Sequence, residues 1–366
     1  MPISIQRKKT RQIRVGNVPV GGGAPIAVQS MTNTFTQDVV ATVAQIQRLE
    51  AAGCDIIRVA VPDPEAAAAI AAIKEQITIP LIADIHFDYK LALAAIGSGA
   101  DAIRINPGNI GSESRVRTLV AAARDRGISI RIGVNSGSLE KDLLEKHGGP
   151  TAEALVESAL RHIDRLGGYD FDAIKVSLKS SNVLQTIDAY RMLSKKSDIP
   201  LHVGVTEAGG LYSGIVKSAM GIGTLLMDGI GDTIRVSLTR DPIEEVRVGY
   251  EILKGLGIRR RGPEIISCPT CGRCNIDLFS IAEDVEKALL TRTAPVKVAI
   301  MGCVVNGPGE AREADVGIAG GKGFGVLFKK GEVIRKVPED CLVDALLEAV
   351  AEFEEQEFQK DQEKMD

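Results

Sequence analysis

The sequence predicts an α/β protein, a (β/α)8 TIM barrel followed by a smaller α+β domain. Two observations carry this. Between about residues 25 and 240, short runs rich in Val and Ile alternate with longer helical stretches until eight runs have passed. After about Leu256 the composition changes, and a basic run leads into clustered cysteines.

The runs are PIAVQSM (25–31), IIRVAV (56–61), PLIADIH (80–86), AIRINP (102–107), SIRIGVN (129–135), FDAIKVSL (171–178), PLHVGVTEA (200–208) and DTIRVSL (232–238). Most read as continuously apolar, as parallel strands covered on both faces do. Several begin at or just after Gly, Pro or Asp, the usual punctuation of a helix-to-strand loop. Between them, 38–52 carries Val39, Val43, Ile46 and Leu49 at near-helical spacing, 64–76 is alanine-rich, and 151–166 repeats apolar residues at Leu155, Ala159, Leu160 and Ile163. A βαβα pattern carried to eight strands closes most simply into a barrel. The competitor is an open doubly wound sheet, which more often has about five to seven strands. No G-x-G-x-x-G follows the first run to support a dinucleotide fold.

The first domain is predicted over 1–258 and the second over 259–366. The second opens with GIRRRGPEIISCPTCGRC (257–274), then a helix over 278–290 and a strand at VKVAIMG (296–302). Short strands VGIAG (316–320), FGVLFKK (324–330) and EVIRKV (332–337) read as a small antiparallel sheet turning at Gly321 and Gly331. A last helix from near Pro338 carries Leu342, Leu346, Val350 and Phe353 on one face, and the charged tail 354–366 is expected to fray.

Composition excludes several classes. Hydrophobic residues make up 45% and charged residues 25% of 366 residues, ordinary for a soluble globular chain. The net charge of -4 argues against a broad nucleic-acid footprint, leaving room for a local basic pocket. No run approaches the roughly 18 apolar residues of a membrane span. The N-terminus MPISIQRKKTRQIRV is basic but lacks the apolar core of a signal peptide, so a cytoplasmic protein is expected.

Arg58, Arg104, Arg131, Lys175 and Arg235 each sit inside an otherwise apolar run. Turning a cation toward the helix layer is costly, so each should face the lumen or its mouth. Five converging cations suit a ligand with two or more negative charges, such as a diphosphate, because Arg offers paired hydrogen bonds to phosphate oxygens. The plainer reading pairs each cation with Asp84, Glu207 or Asp232, but the cations outnumber these carboxylates. Asp84, His86, Asn106, Asn135, Lys179 and Glu207 fall at strand ends, where barrel enzymes keep their chemistry. Taken singly, His86 or Asn106 would read as a loop cap.

Six cysteines are present, and Cys268, Cys271 and Cys274 fall close together. In a reducing compartment such clustering points to metal binding or catalysis rather than disulfides. Cys268 and Cys271 form a CPTC loop, and Cys303 lies in GCVVNGPGE (302–310). Three or four thiolates can hold zinc or a [4Fe–4S] cluster. Counting thiols alone gives an all-thiolate site of Cys268, Cys271, Cys274 and Cys303. A zinc-stapled turn and unligated thiols are the alternatives. Cys54 and Cys341 read as buried packing.

The stretches CPTC, GCVVNGPGE, PLHVGVTEAG (200–209) and GIGDTIRVSLT (229–239) closely resemble the 4-hydroxy-3-methylbut-2-enyl diphosphate synthase family. So do QSMTNT (29–34), AIRINPGNIG (102–111) and RIGVNSGSLE (131–140), and the likeness runs from about residue 3 to 350. The resemblance implies an oxidoreductase of isoprenoid precursor biosynthesis that reductively opens 2-C-methyl-D-erythritol 2,4-cyclodiphosphate and eliminates water. It implies a [4Fe–4S] cluster on Cys268, Cys271, Cys303 and Glu310, with Cys274 an extra thiol. A carboxylate as fourth ligand makes physical sense, since a hard oxygen donor gives way more readily than a thiolate. Arg58, Arg104, Arg131, Lys179, Arg235 and Ser237 should by the same likeness grip the diphosphate. Asp84, Asn135 and Glu207 should contact the hydroxyl-bearing carbons, Glu207 as proton donor or relay. Flavodoxin or ferredoxin is implied as electron donor. A homodimer is also implied, in which one subunit's cluster domain closes over the other's barrel. Neither nucleic acid nor membrane is expected as a partner. Of two other readings, a pterin-binding methyl or group transferase has no need of the cysteine motifs, and a zinc-ribbon nucleic-acid binder fused to a barrel would want aromatic and basic residues interleaved near Cys268, where only RRR (259–261) stands.

Overall fold

The computed structural model describes residues 5–106, 108–303 and 311–363. The chain divides into two compact units, Met1–Arg259 and Arg260–Asp366.

The first unit begins with a feature outside the eight predicted runs. Strands β1 (Ile13–Val15) and β2 (Val18–Val20) form an antiparallel hairpin across a tight turn in which Gly16 has φ 55. Only Gly adopts that backbone cheaply, and a Cβ on Gly16 would sit 2.9 Å from the Pro80 ring. Ile13, Val15 and Val20 pack with Ala27, Ile56, Ile82 and Ala102, which lie early in four of the barrel strands. The hairpin therefore plugs the N-terminal end of the barrel with hydrocarbon.

The barrel strands are β3 (Ala27–Met31), β4 (Ile56–Ala60), β5 (Leu81–Asp84), β6 (Ala102–Ile105), β7 (Ser129–Asn135), β8 (Ile174–Lys179), β9 (His202–Val203) and β10 (Thr233–Ile234). All pair in parallel in the order β8-β7-β6-β5-β4-β3-β10-β9, and a parallel bridge Val176–Leu201 joins the two ends. Seven of the eight predicted runs contain one strand each, and the run 171–178 holds all of β8 but its last residue, Lys179. Along them, side chains alternate. Ile57, Val59, Ile103, Ile105, Ile130, Ile132, Ile174 and Val176 face the helices and form one continuous core with them. Burying each stabilises the fold by roughly 1.5–3 kcal/mol. The intervening positions face the lumen.

The helices follow from their caps and spacing. Asp38 and Asp63 accept hydrogen bonds from the amides of Ala41 and Ala66, starting Val39–Ala51 and Pro64–Lys74, the latter with Pro at its first turn. Thr151 caps Ala152–Gly167, which buries Leu155, Ala159, His162 and Leu166. The helix Pro242–Gly255, capped by Asp241, buries Glu245 among Val246, Gly249, Tyr250 and Leu253.

The second unit is a five-stranded sheet, β11 (Glu264–Ser267), β12 (Lys297–Met301), β13 (Val316–Gly321), β14 (Phe324–Lys329) and β15 (Glu332–Pro338), in that spatial order. The sheet is mixed rather than antiparallel: β11, β12 and β13 are parallel, and only β13–β15 form the expected meander. Strand β11 went unpredicted because its four residues, only part-buried, follow directly on a basic run. Helices Leu278–Leu289 and Leu342–Glu363 cover one face through Ile281, Val285, Leu346 and Val350. The last helix continues to Glu363, through most of the tail expected to fray, because Glu, Gln and Lys are good helix formers. Cys341, expected to be buried, is exposed in a 3-10 turn before that helix, whereas Cys54 is buried.

Candidate active site

Register assembles the cationic site. Asp84 pairs with Arg104, Arg104 with Arg131, and Arg131 with Lys175 across β5–β8, so the four side chains share the lumen face. Asn135 and Lys179 pair four residues nearer the strand C-termini, on the same face. Arg58 approaches from β4, two residues before the Ala60–Asp84 pair. Arg235 and Ser237 follow directly on β10. Arg58, Arg104, Arg131, Lys175 and Lys179 are all buried, and Arg235 and Ser237 are part-buried.

Glycine opens the upper lumen. A Cβ on Gly133 would lie 2.6 Å from Arg104 Nε, and one on Gly204 would lie 3.0 Å from Lys179 Nζ and closer still to the Arg235 carbonyl. A side chain at either position would press on the Arg104 guanidinium or on the Arg235 backbone and the Lys179 amine.

Among the described residues, only Asp84 and Glu245 lie within ion-pair reach of these six cations. Asp84 sits 3.1 Å from Arg104 and 3.5 Å from Arg58. Burial disfavours its charge, but Arg58 and Arg104, then Arg131 and His86, overcome this and hold the carboxyl well below the usual carboxylate range. Glu245, which sequence reasoning missed, stands 3.4 Å from Arg235 and also accepts from Ser30 Oγ and the Leu238 amide. Its signal was present: a carboxylate within the apolar stripe of its helix. The other two proposed partners do not serve. Asp232 accepts from the Leu201 amide, Thr10 and Arg7, and Glu207 is exposed.

The imbalance shows in the cations themselves. Burial lowers the Arg58 guanidinium to about 10, with Asp84 opposing and Arg235 and Arg104 adding to the shift. Burial, then Arg58 and Arg104, push Arg131 well below the usual guanidinium range, although Arg keeps its proton in proteins. Burial followed by the Arg131 charge lowers Lys175 to about 7, and Lys179 is pushed down by burial, Arg235 and Arg131. Nε of Arg104, Arg131 and Arg235, Nη1 of Arg131 and Nζ of Lys175 have no hydrogen-bond partner among the described residues. Buried donors without partners are rare, and a cluster of them calls for an anion.

At the strand C-termini, Asn135 accepts from Arg104 Nη2 at 3.3 Å in the amide orientation that satisfies both of its groups. Glu207 has φ 51, a left-handed backbone unusual for a residue other than Gly and one that recurs at functional sites. Asn106 accepts from the Gly108 amide, so it does cap its loop. His86 is exposed, 3.8 Å from Asp84.

The cysteines of the second unit stand at adjacent strand ends. Cys268 follows β11 and Cys303 lies just past β12, its parallel neighbour. The Gly302 amide donates to Cys268 Sγ at 3.2 Å, the polar environment a thiolate requires. The CPTC loop is bent by Thr270 at φ 59. Cys274 lies beside the same loop, where a Cβ on Gly302 would be 2.6 Å from its Sγ, and its thiol donates to the Ile276 carbonyl at 3.3 Å. Glu310 lies outside the described residues. Among the described residues no three His, Cys, Asp or Glu side chains are drawn together tightly enough to hold a metal ion. The donor types nonetheless fit an iron–sulfur cluster: sulfur from two parallel strand ends, a loop thiol between, and a backbone amide on one sulfur. No helix among the described residues is long and apolar enough to cross a membrane.

Comparison with known proteins agrees over both units. The family description "GcpE TIM-barrel domain" matches residues 10–250, and "GcpE protein C-terminal domain" matches 264–352. A 4-hydroxy-3-methylbut-2-en-1-yl diphosphate synthase (flavodoxin) of Desulfotalea psychrophila is 60% identical, covering 97% of this chain and 98% of its own. The protein of that name from Geobacter sulfurreducens is 62% identical over 94% of this chain and 98% of its own. That from Lawsonia intracellularis is 61% identical over 94% and 96%.

Proposed function

The chain belongs to the GcpE family, and from that premise we infer that it is an oxidoreductase of isoprenoid precursor synthesis. It makes 4-hydroxy-3-methylbut-2-enyl diphosphate, the product in the names of its relatives, and its substrate on this reading is 2-C-methyl-D-erythritol 2,4-cyclodiphosphate. The observation that supports this most directly is the barrel lumen, where six cations meet two carboxylates and several buried donors lack partners.

The residues divide the work. Arg58, Arg104, Arg131, Lys179, Arg235 and Ser237 hold the two phosphates, and Gly133 and Gly204 leave them room. Asp84 keeps Arg58 and Arg104 aligned while the site is empty. Asn135 and Asp84 orient the hydroxyl-bearing carbons. Glu207, at the mouth, gives a proton from its carboxyl to the hydroxyl that leaves as water, since hydroxide itself leaves poorly. Two electrons enter, a ring carbon–oxygen bond to phosphate breaks, one hydroxyl leaves as water, and an alkene forms. A [4Fe–4S] cluster on Cys268, Cys271, Cys303 and Glu310 would supply those electrons one at a time. The donor is flavodoxin, which the names of its relatives carry, and on this reading the working unit is a cytoplasmic homodimer. Sedimentation of the purified protein checks the dimer.

The deciding experiment is anaerobic purification followed by iron and sulfide analysis, visible absorption and reductant-dependent turnover of the cyclodiphosphate. A brown protein with about four irons per chain and turnover is expected. A colourless protein with one zinc would overturn the reading.

A further inference from the structure

The phosphate-gripping side chains fill the upper lumen. Beneath them lie polar groups that the reaction above leaves unused: Lys175 at 1% exposure, Gln29 at 1%, and His202 and Thr233 at 0%. Register places them near the closed end. Thr233 pairs with Ala27, His202 with Thr233, and Gln29 with Ile56, and Ala27 and Ile56 belong to the hairpin plug. Barrels commonly fill this depth with branched apolar side chains, so the fold alone does not call for them.

Nζ of Lys175, Nε2 of His202 and both amide atoms of Gln29 find no partner among the described residues, in company with Nε and Nη1 of Arg131 just above. His202 is fixed, because its Nδ1 lies 2.8 Å from Thr233 Oγ1. The contact admits either tautomer; the one in which the Thr233 hydroxyl donates to Nδ1 leaves Nε2–H as a donor, and it is this tautomer that a bound anion would select. Burial, with Arg131 and Lys179, keeps it neutral. The carboxylate nearest in the sequence of the barrel floor, Asp232, is taken by Thr10, Arg7 and the Leu201 amide.

We propose that Lys175, His202 and Gln29 form the floor of the anion site, donating to phosphate oxygens from beneath Arg131, so that Lys175 is a further substrate-binding residue. The proposal rests on the function inferred above and extends the grip on the diphosphate downward by one tier. It explains why a lysine stands beside an apolar plug with no carboxylate within ion-pair distance, Asp232 acting on it only as a more distant opposing charge: its direct counter-ion is the ligand.

The test uses the full chain with its cluster, anaerobically, and inorganic diphosphate as probe in calorimetric titration, with the melting temperature of the ligand-free protein measured alongside. Lys175→Met should weaken diphosphate binding at least about tenfold. Its ligand-free melting temperature should be unchanged or higher, because an unpaired buried charge has been removed. A merely structural lysine would give the opposite pair, lower stability with intact affinity. His202→Asn keeps a partner for Thr233 but removes the Nε2 donor, and should weaken binding by about threefold or more. If Lys175→Met fails to fold, His202→Asn decides alone. Wild-type affinity in the variant that folds overturns the floor and leaves the function standing. Failure of the wild type to bind diphosphate overturns the function first.

Discussion

Asp84→Asn isolates the electrostatics of the lumen, because it removes one charge and almost no volume. Asp84 is 4% exposed and lies within 3.5 Å of both Arg58 and Arg104. Breaking a buried pair by removing one partner typically costs about 3–5 kcal/mol, since the remaining charge loses its compensation. Each kcal/mol moves the melting temperature by roughly 2–4 °C in a domain of this size, so a fall of roughly 6–20 °C is expected. An added anion should repair much of this. Diphosphate at 100 times its Kd contributes about 2.7 kcal/mol, and the variant should gain more than the wild type because its cations have lost their carboxylate. The pH dependence has a definite sign. The Asp84 pKa is lower folded than unfolded, so its stabilisation is present above about pH 4 and is lost as pH falls through the folded value. The gap between wild type and variant should therefore close in acid. Thermal melts by circular dichroism, with and without diphosphate from pH 3 to 8, provide the assay. A variant that melts with the wild type near neutral pH, or gains nothing extra from the anion, would refute the account of Asp84 as the counter-ion of an empty anion site.

Further outcomes follow from other residues. Glu310→Ala should keep most of the iron and lose most turnover, and unchanged turnover would remove Glu310 from the site. Cys274→Ser should leave iron content nearly intact, whereas Gly302→Ala should reduce it, because the new Cβ would press to 2.6 Å from Cys274 Sγ beside the Cys268 hydrogen bond. Lys175 titrates at about 7 in the fold and near 10.5 when unfolded. Between these values the unfolded chain holds the extra proton, so this residue's contribution rises with pH, and Lys175→Met should flatten the stability profile there. Val15→Ala, in the hairpin plug, should lower barrel stability by about 1–3 kcal/mol by the same melts, and no change would show the hairpin to be dispensable.

The barrel was legible because strands buried on both faces must be written in Val and Ile, and eight such runs leave few architectures. The cations were legible for the same reason, since Arg131 inside SIRIGVN has nowhere else to point. Three features escaped. The β1–β2 hairpin uses strands of three residues each, too short for any period to emerge. Strand β11 is half-exposed and adjoins basic residues, so neither composition nor alternation marks it. Glu245 and His202 carry no mark of this kind, since one turns inward from a helix and the other, uncharged, lies low in the lumen inside a strand. Cys341 shows the limit of residue-type averages, as a cysteine usually found inside stands exposed before a helix.

The hairpin under the barrel has a kinetic consequence. With Ile13, Val15 and Val20 packed in hydrocarbon against the far end, the lumen is, among the described residues, a vessel with a single neck. Everything that enters must leave by the route it came, and no second molecule can arrive from behind to push the first one out. Spent diphosphate and fresh diphosphate therefore queue at the same opening, and each turnover ends only when the vessel has been emptied through its neck.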